Sequence, residues 1–470
     1  MYKKLSDGSA CGSGTCSGLS YTGPGNCTSG QCILPAAKSC DDGLTCTTDS
    51  CASSGCSNVT KPWGSSCVSA SSGTFYPFCA GTTCTGFEPA LGSKGVLTGI
   101  ERVYGSLVAC GTSSSSGIAL GQGVLRNISE TTLGLTPAGS YGTLNSRLND
   151  IRGILTAGGI GDNAPAMMEI DGTWGPWSID FDPGFSRSFN AIDRFSDSSG
   201  DTYIFAGGGN SSAPDYQSNV GRVTFTPTKE GDISRMIVTT SPTLCKTQVA
   251  MTINDIYAAS NNAVYFAGSI GKNGQTPTKS AIGVWDGTSV ESCDNNLDYS
   301  GEIYVNTDTS TVDRQANISS SMGSGVYRAI HGTGPAHLLV GGTLGTLWSY
   351  DSGSWTQQVP NYTGIPAAWS SSFDVKSVYL SGNDGWATGE YYSTISNQAC
   401  RQVFVLHGIF DAAAGTWSWN KLWISSDWLN CGVNITNTQA NKIWVDASTK
   451  GLFIVGAWNG QELIARVKLP

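Results

Sequence analysis

Three histidines, His331, His337 and His407, are all the imidazole this chain offers for metal binding or general-base chemistry. His331 and His337 flank one short segment, and a metal pair there needs a third ligand that the surrounding residues do not supply. Both read as exposed loop residues. No Gly-x-Ser-x-Gly elbow and no phosphate-cradling Gly-x4-Gly-Lys loop occurs. The expectation is therefore a chain with no catalytic residue, no metal and no cofactor.

The chemistry that the sequence does advertise is sulfur chemistry. Of 16 cysteines, eleven lie between Cys11 and Cys84. None of the spacings is a Cys-x2-Cys knuckle, so a disulfide framework in an oxidising compartment is expected in preference to zinc. The remaining five are Cys110, Cys245, Cys293, Cys400 and Cys431. Eleven and five are both odd. If every thiol is oxidised within one chain, an odd number of bridges joins the two regions. Cys245 with Cys293 and Cys400 with Cys431 are the simplest local pairs, which leaves Cys110 to reach back to the first region; the alternative is a buried free Cys110. Asp41, Asp42 and Asp49 have the chemistry of calcium ligands, but Asp in such a stretch more often caps turns through neighbouring backbone.

Recognition surfaces are the second candidate. Trp174, Trp177, Trp386 and Trp458 read as loop aromatics able to meet a sugar or a protein. Seven Asn-x-Ser/Thr sequons, at Asn26, Asn58, Asn127, Asn210, Asn317, Asn361 and Asn434, would accept glycans in an exported protein.

Composition narrows the partners. The net charge of −9 argues against nucleic acid, which wants a basic face. No apolar run approaches the ~20 residues of a membrane span. Met1-Tyr-Lys-Lys looks like the start of a secretion signal with no apolar stretch behind it, so a mature or trimmed form is expected.

The elements that must carry these residues fall into two regions. Residues 1–90 hold few apolar side chains beyond cysteine, so bridges must hold them together. Residues 91–470 repeat. Short apolar runs stop at Gly111, Gly158, Gly207, Gly268, Gly341, Gly389 and Gly456, with the glycines read as strand-ending turns. A small apolar strand precedes each run, among them Leu97 to Val103, Leu148 to Ile151 and Ile253 to Tyr257. Asp-Gly or Gly-x-Trp turns follow, as in Ile170-Asp-Gly-Thr-Trp174 and Val284-Trp-Asp-Gly-Thr288. Seven units of four antiparallel strands are expected, with an all-β fold. The last unit has about three strands, and the stretch Lys94 to Leu97 is the candidate to complete it.

Two resemblances accompany this reading. The glycine after the second strand and tryptophan on the fourth resemble kelch and galactose-oxidase-type blades, which implies a seven-bladed β-propeller over 91–470. The copper-radical chemistry of some such proteins needs two His, two Tyr and a Cys together, and the chain assembles no such set. Tyr350-Asp-Ser-Gly-Ser-Trp355 is similar to the Asp-box turn of sialidases but is one residue short. Cys40-Asp-Asp-Gly-Leu-Thr-Cys46-Thr-Thr-Asp-Ser-Cys51 followed by Gly55-Cys56 resembles a cysteine-rich repeat of extracellular slime-mould and myxobacterial proteins, which implies a cell-surface or extracellular location. The function expected is non-catalytic surface recognition or adhesion, with a protein or glycan ligand. The alternatives are a secreted carbohydrate-active enzyme using a central pocket, and a filament or coat subunit that binds copies of itself.

Overall fold

The recurring glycines are paired strand residues, not turn residues, and Gly207 lies outside the described residues. In the computed structural model, Leu97 pairs with Gly111, Leu148 with Gly158, Ile253 with Gly268, Tyr327 with Gly342, Val375 with Gly389 and Ala440 with Gly456. Immediately after each of those partners the register shifts by one residue, a β-bulge. The bulge tips a carbonyl toward the neighbouring strand. A Cβ on Gly389 would stand 1.9 Å from the Asp374 oxygen, on Gly456 1.9 Å from Gln439 O, and on Gly111 2.1 Å from Val96 O. Close backbone approach, not a turn, selects glycine there. In the fifth unit the residue opposite the bulge is Gly342, one beyond the glycine expected.

Residues 6–67, 75–113, 122–138, 148–158, 165–170, 173–178, 189–197, 200–206, 217–226, 237–238, 243–260, 263–271, 279–285, 303–306, 326–360, 373–395, 398–424, 430–431, 438–446 and 451–469 are described. Every regular element among them is a strand. The chain divides into two compact units, Met1–Glu88 with Val467–Pro470, and Pro89–Arg466.

The first unit is held by five disulfides, Cys11–Cys32, Cys16–Cys51, Cys40–Cys56, Cys46–Cys79 and Cys67–Cys84. Its strands are two to six residues long, such as Gly25–Thr28 with Gln31–Ile33 and Thr47–Ala52 with Gly55–Thr60. Its small core includes Cys46, Cys67 and Cys79, which are buried together. Five bridges suit an oxidising environment.

The second unit is a series of antiparallel meanders. Each opens on a lead strand: the later part of Thr83–Val103, then Leu148–Arg152, Ala191–Asp197, the later part of Thr243–Ser260, Tyr327–Gly334, Phe373–Ser381 and Gln439–Asp446. The fifth meander continues through His337–Gly342, Leu347–Asp351 and Ser354–Gln357. Two-residue hairpins join several strands. Tyr104-Gly105, Ser352-Gly353 and Asn459-Gly460 all have positive φ, the conformation whose twist matches paired strands. The final strands, Gln439–Asp446, Gly451–Trp458 and Gln461–Lys468, share one sheet with the strand Thr83–Val103. The Gly95 amide donates to the Gly460 carbonyl at 2.9 Å, so the opening strand does complete the last meander. Arg126 pairs with the fully buried Glu462 at 2.7 Å across the same seam.

The lead strands from the second to the seventh pack against one another in chain order. Bulging leaves a backbone carbonyl and an N–H unpaired, and side chains from the adjacent meander take them up. Thr98 donates to Leu148 O at 2.7 Å, Asn149 to Phe189 O at 2.7 Å, Asn190 to Ile253 O at 2.7 Å and Asn254 to Tyr327 O at 2.6 Å. Asn441, in the last lead strand, donates to Leu97 O in the first at 2.8 Å. The isoleucines two residues on, Ile100, Ile151, Ile192, Ile256, Ile330 and Ile443, are all buried between sheets.

Candidate functional site

One residue past each bulge residue, side chains from distant meanders meet. Lys442 Nζ lies 3.2 Å from Asp150 Oδ2 and 3.5 Å from Asp255 Oδ1. These three residues belong to the seventh, second and fourth lead strands, so this register position brings distant meanders to one place. The same register position holds Gly99, Ala191, Ala329 and Ser377 in the other lead strands, and small side chains leave room for the charged three. Gly99 has no latitude: a Cβ would stand 2.9 Å from Cys110 Sγ and 3.0 Å from Asp150 Oδ1.

Two residues further along lies a second layer. Arg152 joins Glu101 at 2.8 Å and Asp193 at 2.6 Å, linking three successive meanders. The rest of that layer is aromatic. His331 stacks on Tyr379 at 4.3 Å and lies 5.4 Å from Tyr257.

Backbone N–H groups of the next meander complete these groups. Ile330 donates to Asp255 Oδ2 at 3.0 Å, Ala258 to Asp193 Oδ2 at 2.7 Å, Ile443 to Ser377 Oγ at 3.1 Å and Leu380 to His331 Nδ1 at 3.1 Å. With Nδ1 accepting, a neutral His331 carries its proton on Nε2. Burial, with the positive charges of Arg152 and Lys442, holds the imidazolium form well below the ordinary histidine range.

Burial acts on the acids as well. Asp255 is raised to about 6, chiefly because it is desolvated and secondly against the pull of Lys442, with Asp150 and Asp193 adding negative charge nearby. Lys442 is raised too, because Asp150 and Asp255 together outweigh its own desolvation. The two shifts fit one picture: the ammonium has two carboxylates, but it sits nearer to Asp150, so Asp255 is the under-compensated member.

A second polar group stands on the bulge side of Phe373–Ser381. Glu390, nearly fully buried, receives Lys376 at 3.2 Å and Arg401 at 3.4 Å. Arg401 lies 5.0 Å over the exposed Tyr392 ring, a cation–π contact. Lys376 also meets Asp374 at 3.4 Å, which Arg328 approaches at 3.6 Å.

The structure relocates several of the residues expected to act. His331 and His337 are on paired strands, not an exposed loop. His337 bonds Asp351 and stacks on Trp417, while Trp417 donates to Asp351 at 3.4 Å. Asp351 of the near Asp-box is thus a packing residue between meanders. Trp386 is 2% exposed, within Asp384–Ile395 and stacked on His407 at 4.1 Å, so it is no loop aromatic. Trp174 and Trp177 lie in the strand Thr173–Ser178, and Trp458 ends Gly451–Trp458 half-buried. Strand pairing had claimed these positions.

Cys110 corrects the expected link between the regions. It is a free, fully buried thiol, its proton held firmly by burial and by Asp150. Cys27 is also free and buried, which settles the odd count in the first region. Cys400 stands opposite Cys431 in the backbone register of two strands. Cys245 pairs with Val220, and Cys293 lies outside the described residues. Asp41 accepts from Gly43 N at 2.8 Å and Asp42 from Leu44 N at 2.9 Å, which is turn capping. Asn26, Asn58 and Asn127 are exposed; Asn210, Asn317, Asn361 and Asn434 lie outside the described residues.

Sequence reasoning missed the residues at this register position, although a signal exists. Leu148-Asn-Asp-Ile151, Phe189-Asn-Ala-Ile192, Ile253-Asn-Asp-Ile256 and Ala440-Asn-Lys-Ile443 share one tetrad, apolar-Asn-x-Ile. Its Asn is the bulge donor and its x takes the shared register position.

No protein-family model matches the chain, and no curated protein matches it in sequence. Among solved structures it is similar to one described as YCF48 bound to D1 peptide, with a TM-score of 0.44 and 11% identity over 81% of this chain and 96% of that one. It is also similar to Saccharomyces cerevisiae Sqt1, with a TM-score of 0.41 and 12% identity over 81% of this chain and 98% of that one. Among the described residues no helix is long and apolar enough to cross a membrane.

Proposed function

We propose that the second unit is a seven-bladed β-propeller, and that the protein is an extracellular, non-catalytic recognition protein holding a protein or glycan on one propeller face. The serial order of lead-strand contacts from the second to the seventh supports the ring, together with the hydrogen bonds from the first lead strand to the second and from the last to the first. The observation that carries the non-catalytic reading is saturation of the axis. Glu101 and Asp193 are bound by Arg152, Asp150 and Asp255 by Lys442, and three of these acids also accept a backbone N–H. Such groups act as pegs between blades. The ligand-facing side is the mouth that presents Tyr392, Arg401, Lys376 and Arg328.

A secreted carbohydrate-active enzyme is the second reading. One arrangement favours it: Asp255, raised to about 6 by burial, shares the Lys442 ammonium with a second carboxyl, Asp150, and paired carboxyls are what general acid catalysis uses. One experiment separates the two. The purified protein is screened against an extracellular glycan array and collagen- and laminin-coated surfaces, and against chromogenic glycosides. Recognition predicts binding that Tyr392→Ala with Arg401→Glu weakens at least about tenfold, and no turnover. Turnover abolished by Asp255→Asn or Asp150→Asn would replace it with the enzyme.

A further inference from the structure

The five bridges of the first unit follow a repeat, and the repeat leaves one cysteine waiting. Three hairpins each carry two cysteines directly opposite one another and five residues apart: Cys27 with Cys32, Cys51 with Cys56, and Cys79 with Cys84. The second member of each hairpin always bridges a cysteine shortly before its own hairpin, as Cys32–Cys11, Cys56–Cys40 and Cys84–Cys67, at separations of 21, 16 and 17. The first member reaches further. Cys51 bridges Cys16 and Cys79 bridges Cys46, at separations of 35 and 33, each to a cysteine of the preceding repeat. The second kind of bridge chains the repeats together.

Cys27 is the first member of the first hairpin. It is 6% exposed and free. Its backbone is held as firmly as its counterparts', with its amide donating to Ser9 O at 2.9 Å and its carbonyl accepting from Gly8 N at 2.8 Å. Cys16 and Cys46 are themselves already bridged, and among the described residues the other free cysteine, Cys110, is fully buried within the second unit. A second copy cannot supply the part either. The third repeat has no cysteine between Cys67 and Cys79, so the far end of the array presents no donor.

We infer that Cys27 is the receiving end of a disulfide from a further cysteine-rich repeat, whose cysteine occupies the place that Cys16 and Cys46 hold. That repeat is carried either by residues preceding these 470 in the same polypeptide or by another polypeptide. The chemistry is the same in both cases. The two thiols each give up a proton and an electron and join. One molecule of oxidised glutathione takes both protons and both electrons, its own S–S bond breaks, and two reduced molecules leave. The inference is independent of what the propeller binds. It also bars this bridge from building a polymer of identical chains.

Native protein is treated with N-ethylmaleimide, digested without reduction and mapped by mass spectrometry. The expected result is a peptide containing Cys27 linked to a cysteine peptide from outside these 470 residues. Non-reducing gels then separate the sources. A separate polypeptide is released by reductant, whereas a preceding segment is not. In a second test, the chain carries one extra copy of residues 38–61 ahead of Ser6. The alkylated thiol is expected to move from Cys27 to the copied Cys51, with Cys27 bridged to the copied Cys46. A free Cys27 in native material, Cys27 bridged to another of this chain's own cysteines, or Cys27 still alkylated in the extended chain overturns the inference.

Discussion

Replacing Asp255 by asparagine should make the protein more stable, and only above a definite pH. In the folded state Asp255 holds its proton to about 6, against 3.8 for the ordinary group, because it is desolvated beside Asp150 and Asp193. The folded chain therefore binds more protons than the unfolded chain between those values. Stability contributed by this group is present below about pH 4, falls as pH rises through the window, and stays at its lower level above about pH 6. A shift of about two units corresponds to on the order of 3 kcal/mol at neutral pH, since each unit is about 1.4 kcal/mol. Asparagine keeps the shape, cannot ionise, and its amide oxygen can still accept from Ile330 N, now 3.0 Å from Asp255 Oδ2. Lys442 keeps Asp150 at 3.2 Å. Urea unfolding of wild type and Asp255→Asn, followed by tryptophan fluorescence from pH 4 to 8, measures the gap. The variant should match wild type near pH 4 and exceed it by about 1–3 kcal/mol at pH 7.5. A gap that does not change with pH, or a variant that is weaker at pH 7.5 than at pH 4, would refute the electrostatic account of the axis.

Removing the cation instead should have the opposite sign. Lys442→Met leaves Asp150 and Asp255 facing each other without a positive partner, a loss of about 3–5 kcal/mol at pH 7.5. The loss should shrink at pH 5 as a carboxyl takes up a proton, and adding Asp255→Asn should restore part of it, as a double-mutant cycle in urea will show. Gly389→Ala places a Cβ 1.9 Å from the Asp374 carbonyl and should cost several kcal/mol or prevent folding, whereas Gly334→Ala meets nothing within 4 Å and should stay within about 0.5 kcal/mol of wild type; their thermal midpoints compare the two. Asn441→Ala removes the bond to Leu97 O that ties last strand to first and should lower stability by about 1–2 kcal/mol; backbone amides of Gly451–Trp458 should exchange hydrogen faster.

Much of this protein is local, and local order is what a sequence states directly. Alternating apolar runs, Gly-containing two-residue turns and eleven cysteines from Cys11 to Cys84 specify short antiparallel strands and a bridged first region, because each depends on neighbours a few residues away. The recurring glycines were equally visible, yet their reason was not. A glycine that ends a strand and one that faces a bulge look alike until the opposing carbonyl is in place. Trp386 and His331 show the same gap, since loop and strand differ there by pairing with partners the residues do not announce.

The axis belongs wholly to tertiary structure. Asp150, Asp255 and Lys442 are distant in sequence, and nothing local to any of them names the other two. They meet because the lead strands share one bulge and one register, so that the same position in three of them points to the same place. The same holds for sulfur. Composition calls for bridges, but only the pairing of hairpins decides that Cys16 reaches Cys51 while Cys27 is left open. Chain proximity governs what is local, and geometry set by hydrogen-bond register governs which distant groups share a site.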